Sequence, residues 1–186
     1  MRATQDLRAE HVGVIRMLDV LEVMAAQARA GKGVDQADLA QAMEFLRVFV
    51  DQCHHTKEEV LLFPAMRAAN IASAEAAIER LLAEHETARG YTTRLAAVAD
   101  RVSCDDATAG PELAEAISDY SALLRGHIVL EERECFDPAD ATLPQVAQEE
   151  LEKGYERIER DVIGAGRHRE FHEMLERLEE KYTPID

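Results

Sequence analysis

The chain has 186 residues, of which 37 are acidic and 21 are lysine or arginine, so its formal net charge at pH 7 is −16. This length suits one domain with a substantial core, and the negative charge argues against nucleic acid or an anionic membrane surface as a partner. We find no apolar run long enough to span a membrane and no signal-peptide pattern, and the three cysteines are widely spaced. An odd number of dispersed cysteines fits a reducing compartment. We therefore expect a cytoplasmic protein with no nucleic-acid or membrane partner.

Four helices are predicted in chain order, because apolar residues recur at steps of three and four. The apolar stripes run over residues 7–25, 39–61, 78–99 and 113–130. Turn-forming residues interrupt them at 31–33, 69–73 and 103–111, and Asp35 is expected to cap the second helix. Short breaks between long helices imply antiparallel neighbours. The sequence thus predicts an all-α fold, an up-down-up-down four-helix bundle with a C-terminal helical extension.

The extension is a fifth helical region, from about Pro144 to Tyr182. Its first apolar stripe consists of Leu151, Tyr155, Ile158 and Val162. A stripe this regular is expected to be buried against the bundle or against a second chain. We therefore expect a bundle domain over residues 1–140 and an extension over residues 141–186, with a homodimer through the C-terminal helix as an alternative to packing on the bundle.

Histidines and carboxylates are repeated along the chain. Ala9-Glu10-His11 recurs 74 residues later as Ala83-Glu84-His85, and His54-x-x-x-Glu58-Glu59 recurs 73 residues later as His127-x-x-x-Glu131-Glu132. Since antiparallel helices rise equally per residue, residues equidistant from a turn lie at the same level, and these spacings place all four histidines in one layer. Each histidine also lies in an apolar stripe, where a buried imidazole needs hydrogen bonds or a metal.

The repeated set indicates a site for two metal ions. Histidine and glutamate four residues apart share one helix face, and a mixture of imidazole and carboxylate suits iron, manganese or zinc better than calcium or magnesium. Any one of these residues, taken alone, is more often a hydrogen-bonded core histidine or a solvated glutamate. The complete, level-matched set favours metal binding. The candidate ligands are His11, His54, Glu58, His85, His127 and Glu131.

The chain resembles the hemerythrin-like, or HHE cation-binding, family over about residues 5–140. The resemblance is carried by His11, His54-His55-Thr-Lys-Glu58-Glu59-Val-Leu-Leu-Phe63-Pro64, His85 and His127-Ile-Val-Leu-Glu131-Glu132. It implies a non-haem di-iron centre held by the six candidate ligands, namely two iron ions with an oxo or hydroxo bridge, for which manganese or zinc could substitute. It also implies binding or sensing of O₂, NO or peroxide. Enzymatic reduction or disproportionation of peroxide or NO, and iron storage or donation, are the alternatives.

Two departures from that family affect the expected chemistry. Its oxygen-carrying members supply a fifth histidine to one iron, and an aspartate where this chain has Glu131. No fifth histidine is expected on the core stripe here, so each iron would keep an open position, and we expect poor reversible oxygen carriage and reactivity toward peroxide or NO. His55 and Glu59 are offset by one residue, about 100° around an α-helix. They are expected to face solvent or to hydrogen-bond the ligands, with the alternative that they are themselves ligands.

Five further residues have two interpretations each. Tyr120 lies seven residues before the fourth histidine, as either a core tyrosine or a hydrogen-bond donor to the site. Cys53 and Cys135 are expected to be buried structural thiols, with oxidation sensing as the alternative. His168 and His172 have metal-ligand spacing in the extension, but packing or surface roles are favoured because no matching carboxylates accompany them.

Overall fold

The computed structural model describes residues 2–103, 108–164 and 166–182, and regular structure within these ranges is entirely helical. The α-helices are α1 (Thr4–Arg29), α2 (Gln36–Glu44), α3 (Phe63–Ala68), α4 (Glu75–Ser103), α5 (Ala109–Glu131), α6 (Asp137–Thr142), α7 (Gln145–Ile158) and α8 (Arg167–Lys181). π-Helical segments occupy Phe45–His55, Glu58–Leu62, Glu132–Phe136 and Glu159–Ile163, and a 3₁₀ turn covers Ala72–Ala74. The predicted all-α class is confirmed.

Four long helical rods form a bundle. Helix A is α1, helix B runs from α2 through α3, helix C is α4, and helix D runs from α5 through α6. Helices A and C both pack along α5, while α2 packs against helix C. The predicted four-helix bundle is therefore confirmed. None of the described helices is both long enough and apolar enough to cross a bilayer.

The first two breaks between the rods fall where turn-forming residues predicted them. Helix B begins directly after Asp35, whose side chain accepts hydrogen bonds from the backbone N–H groups of Ala37 and Asp38, and this confirms the predicted N-cap. α3 ends at Ala68, before the second predicted break. The third predicted break, 103–111, includes residues 104–107, which lie outside the described part of the chain.

Helices B and D each change from α to π geometry next to the repeated glutamates. The N–H of Phe63 bonds the carbonyl of Glu58, and the N–H of Asp137 bonds the carbonyl of Glu132, in both cases across five residues instead of four. A proline follows each of these donors by one residue, and its missing N–H interrupts the regular ladder. Isolated π turns are frequent at functional sites.

The extension, α7 and α8 with the π segment between them, lies against helices A and B. Phe171 and Leu175 join the larger apolar cluster of the bundle, and Leu151 and Tyr155 join a smaller one. Ion pairs to the bundle, including Arg167 with Glu44 at 2.6 Å between Nη2 and Oε1, tether the extension further.

The buried stripe of the extension is shifted at its end. Val162, expected to be buried, is 50% exposed, and Ile163 is buried instead. The expectation for Val162 is wrong because helix α7 continues into the π segment Glu159–Ile163, whose wider turn moves the inward face along the chain by one residue.

Candidate metal centre

Six side chains from the four bundle helices meet in one buried layer, and each is at most 2% exposed. Helix A supplies one histidine, helix B a histidine and a glutamate, helix C one histidine, and helix D a histidine and a glutamate. The structure therefore brings together the whole set named from the repeat, which is His11, His54, Glu58, His85, His127 and Glu131.

The six residues form two overlapping groups in which the donor atoms lie within 4.8 Å of one another. The groups are His11, His54, Glu58 and Glu131, and Glu58, His85, His127 and Glu131. Glu58 reaches both histidine pairs, with Oε1 3.0 Å from His54 Nε2 and Oε2 3.5 Å from His85 Nε2. Its two oxygens thus face two different candidate metal positions.

Glu131 occupies the equivalent place in the second repeat. Its Oε2 lies 3.2 Å from His11 Nε2 and 3.8 Å from His127 Nε2. All four carboxylate oxygens of Glu58 and Glu131 are buried without a hydrogen-bond partner, which is costly for an anionic group inside a protein. Cations between the two carboxylates would satisfy these oxygens, and the donor set of imidazole and carboxylate suits iron, manganese or zinc. The residues therefore fit a pair of metal ions.

A second set of glutamates orients the histidines, each through its Nδ1 atom and each from a neighbouring helix. The pairs are Glu10 with His54 (2.8 Å), Glu59 with His85 (2.7 Å), Glu84 with His127 (3.0 Å) and Glu132 with His11 (2.9 Å). These bonds join helix A to B, B to C, C to D and D to A, and so close a ring around the bundle. With Nδ1–H donating to a carboxylate, Nε2 of each ring is available to a metal.

Each orienting glutamate also contacts a basic side chain. The pairs are Glu10 with Lys57 (2.5 Å), Glu59 with Arg89 (2.7 Å), Glu84 with Arg80 (2.7 Å) and Glu132 with Arg8 (3.3 Å). Lys57 is fully buried, whereas the side chains of the three arginines are 30% exposed or more. One of the four pairs therefore lies in the protein interior and the others at its surface.

In the metal-free site, His54 and the carboxylates beside it shift one another's pKa values. Burial opposes protonation of His54, but Glu58 and Glu10 raise its pKa to about 10. Burial also opposes ionisation of Glu58, yet His54, His85 and His11 lower its pKa to about 2. His54 is thus an imidazolium when no metal is bound, and its Nε2 proton then supplies the hydrogen bond that Oε1 of Glu58 otherwise lacks. A metal at this position must displace that proton, so metal binding would release protons.

His55 is a fifth histidine of the core. It is 1% exposed, its ring stacks on that of His85 with centroids 3.9 Å apart, and it forms a donor group with His85 and His127. The expectations that no fifth histidine reaches the core and that His55 faces solvent are therefore wrong. The cause is the π segment Phe45–His55, in which each residue turns through a smaller angle than in an α-helix, so that His54 and His55 both point inward.

One ring nitrogen of His55 has no hydrogen-bond partner. Its Nδ1 is buried without a hydrogen-bond partner and lies 3.6 Å from Asp51 Oδ1. Burial, with His85 and His54, lowers the pKa of His55 well below its ordinary value, so the ring is neutral. Neutral imidazole is the form that binds metals.

A buried tyrosine of the extension is close enough to the site carboxylates for their charges to affect its pKa. Tyr155 is 1% exposed and its hydroxyl has no hydrogen-bond partner; burial, followed by Glu58 and Glu10, raises its pKa well above the ordinary value. Tyr120 is also buried, but it packs in the other apolar cluster beside Tyr91. Helical spacing from the fourth histidine pointed to Tyr120, because the folding back of the extension has no signal in local periodicity.

Two cysteines lie close to the site. Cys53 and Cys135 are buried free thiols, and burial raises the pKa of each to about 12. Both are therefore protonated thiols with little nucleophilic character. Buried, protonated thiols are consistent with the structural role predicted from the sequence.

The most informative residues that sequence reasoning missed are Glu10, Glu84 and Lys57. A signal existed for the two glutamates, because each precedes a repeated histidine and both copies keep it. Their targets are histidines on other helices, which the repeat alone does not reveal. His168, expected at a packing or surface position, lies with Nε2 3.6 Å from Glu10 Oε1.

A four-helix bundle with a buried layer of histidines and glutamates around two candidate metal positions defines a cation-binding helical-bundle protein. The family described as Hemerythrin HHE cation binding domain matches residues 2–138. Because this match covers more than half of the chain, the protein belongs to that family, and the resemblance inferred from the motifs is confirmed. No curated protein and no solved structure matches the chain.

Proposed function

We propose that this protein holds two iron ions within its bundle and binds O₂, NO or peroxide there, as a binding or sensing protein of the cytoplasm. His11 and His54 would hold the first ion and His85 and His127 the second. The observation that carries the proposal is the placement of two shared carboxylates, Glu58 and Glu131, whose buried oxygens lack hydrogen bonds and lie between the two histidine pairs. Manganese or zinc would fit the same donors.

The position of His55 favours binding over turnover. As a further donor beside His85 and His127, it would give the second ion three imidazoles, whereas the first ion would have two. A small ligand would then meet an open coordination position at one ion only. Without His55, the chain would offer both ions equivalent ligands, an arrangement that would suit chemistry in which two metal ions act together. An enzyme acting on peroxide or NO is therefore the second candidate, and an iron store or donor the third.

The residues of the chain supply orientation and exclusion of water, while iron, when bound, supplies electrons to the small ligand. Four buried side chains each stand four residues from a candidate ligand and cover one end of the layer; they are Leu7, Leu62, Leu81 and Cys135. On another side, a groove of about 950 Å³ between helices B and C ends at Asp51 and Arg89. Asp51 lies beside His55 and Arg89 holds Glu59, so this groove ends at residues that contact the site.

Metal analysis and ligand reactions test the proposal. We expect two iron ions per chain after iron-replete expression. The expectation of poor reversible oxygen carriage depended on the absence of a fifth core histidine, so with His55 in the core we instead expect the absorption spectrum of the reduced protein to change reversibly with O₂ or NO. One ion per chain, or zinc alone after iron-replete growth, would contradict the metal centre. Many turnovers with peroxide and no reversible adduct would instead support the enzyme.

Two further aspects belong to the proposal. The buried, unpaired thiols of Cys53 and Cys135 support a reducing compartment. We also propose a homodimer through the extension, which exposes Val146 and Val162. The mass of the protein in solution, measured over a range of concentrations, distinguishes a dimer from a monomer.

A further inference from the structure

The two halves of the candidate metal centre have equivalent ligands but differ in the basic residues that contact their orienting glutamates. In the second half, Glu84 bonds Arg80, whose side chain is 64% exposed. In the first half, Glu10 bonds Lys57, which is fully buried, and Lys57 Nζ also lies 2.6 Å from Oε1 of Glu159 in the extension. A continuous chain of contacts thus runs from one histidine pair into the C-terminal segment.

We propose that Lys57 and Glu159 are positioning residues for the first metal position, so that binding of metal there and docking of the extension stabilise each other. Lys57 would hold Glu10 in place, and Glu10 would fix His54 through Nδ1. Glu159 lies beyond the segment that matches the family, so this role falls to a part of the chain outside the shared domain. The inference rests on the proposed metal centre.

Charge and burial support this role. A buried ammonium group is stable only with close anionic partners, and Lys57 has one on each side, at 2.5 Å and 2.6 Å. Without Glu159, half of that compensation is lost, and without Lys57, Glu10 loses the contact that holds its second oxygen. Hydrogen-bond partners of metal-binding histidines set the orientation of the ring, and their loss commonly weakens metal binding.

The extension contacts the same region at two further points. Lys57 Nζ lies 5.6 Å from the ring centroid of Tyr155, whose buried hydroxyl has no hydrogen-bond partner. His168 Nε2, also buried and unpartnered, is 3.6 Å from Glu10 Oε1.

A third metal position formed by Glu10, Glu159 and His168 is the competing interpretation, because their donor atoms lie close enough together. The ammonium of Lys57 bonds both of these carboxylates and so already provides the positive charge between them. A positioning role is therefore favoured over a third ion.

Three variants test the inference with Co²⁺ as a spectroscopic probe. Lys57→Met should lower the affinity for one of the two bound ions by roughly 10–100-fold and leave the affinity for the other unchanged. Arg80→Met is the matched control in the second half, and because Arg80 is exposed it should leave both affinities near those of the unaltered protein.

The double variant Lys57→Met/Glu159→Gln separates positioning from stability. The double variant removes one positive and one negative charge, so it keeps the net charge of the unaltered protein. Its metal-free form should therefore melt closer to the unaltered protein than Lys57→Met does, while binding of the weaker ion should stay weak because Glu10 still lacks Lys57. Recovery of both stability and affinity would show that Lys57 only compensates charge, and the inference would fail.

Hydrogen exchange provides a readout in the extension itself. Since coupling between two equilibria is reciprocal, Co²⁺ should slow amide exchange in the α7 to α8 region of the full chain, and Lys57→Met should remove that difference. If amide exchange in this region is the same with and without Co²⁺, the inference is wrong, whereas the proposed metal centre is unaffected. An unaltered protein that binds no ions would instead overturn the metal centre, and the inference with it.

Discussion

Replacing Glu58 by glutamine tests whether one carboxylate serves two metal ions. The change keeps the shape of the side chain but removes its charge and one of its two acceptor oxygens. Because Oε1 faces His54 at 3.0 Å and Oε2 faces His85 at 3.5 Å, the variant should lose affinity at both positions. Thermal unfolding followed by circular dichroism, with and without added metal, measures the loss.

The size of the effect follows from mass action. An ion present at about 100 times its Kd stabilises the folded protein by about 2.7 kcal/mol, so two ions contribute about 5 kcal/mol. For a chain of this size, 1 kcal/mol shifts Tm by about 2–4 °C, and saturation with metal should therefore raise Tm by roughly 10–20 °C. In Glu58→Gln this rise should disappear.

Glu59→Gln is the matched control. Glu59 lies one residue further along and holds His85 through Nδ1 at 2.7 Å, so its loss should weaken binding by about 10–100-fold and the full rise in Tm should return at higher metal concentration. If Glu58→Gln keeps the metal-dependent rise, or if Glu59→Gln loses more of it, the assigned ligand is wrong by one residue.

Three further results are expected. His55→Ala should retain both ions but shorten the lifetime of the O₂ or NO adduct by roughly tenfold or more, as followed by stopped-flow absorption; an unchanged lifetime would show that His55 binds no metal. For the metal-free protein, the contribution of Glu58 to stability is present above about pH 4.5 and is lost as pH falls toward about 2, whereas that of His54 is present below about pH 6.5 and is lost as pH rises toward about 10. Urea unfolding of the metal-free protein should therefore show its greatest stability between about pH 4.5 and about pH 6.5. Cys53 and Cys135, with pKa values raised to about 12, should resist alkylation at pH 8 until the protein is unfolded, and rapid labelling of either thiol would favour a redox-sensing role.

The sequence predicted the bundle and the convergence of the six side chains because both depend on helical rise and on the lengths between breaks. The position of Glu58 relative to His85, for example, follows from counting residues on either side of one turn. Register within a helix was less predictable. His55 and Val162 were both misplaced, since each lies at a change from α to π geometry that a constant period of 3.6 residues does not anticipate.

Contacts between distant parts of the chain could not be predicted from the sequence either. Lys57 and Glu159 are 102 residues apart, and nothing in the local pattern around either residue specifies the other. Glu84 is a different case, because the repeat marked it as equivalent to Glu10. Its partner, His127, lies on a different helix, so this pairing depends on how helices C and D pack together.

The closed ring of glutamate–histidine bonds has a consequence for how the protein acquires metal. Each imidazole is already held in its orientation by a carboxylate from the next helix, as in the pair of Glu132 with His11, before any ion arrives. Metal binding therefore freezes few additional side-chain rotations, and a preorganised site loses little entropy on binding. Unlike small domains that fold only around their metal, this chain is expected to keep its tertiary structure while ions enter, leave and exchange.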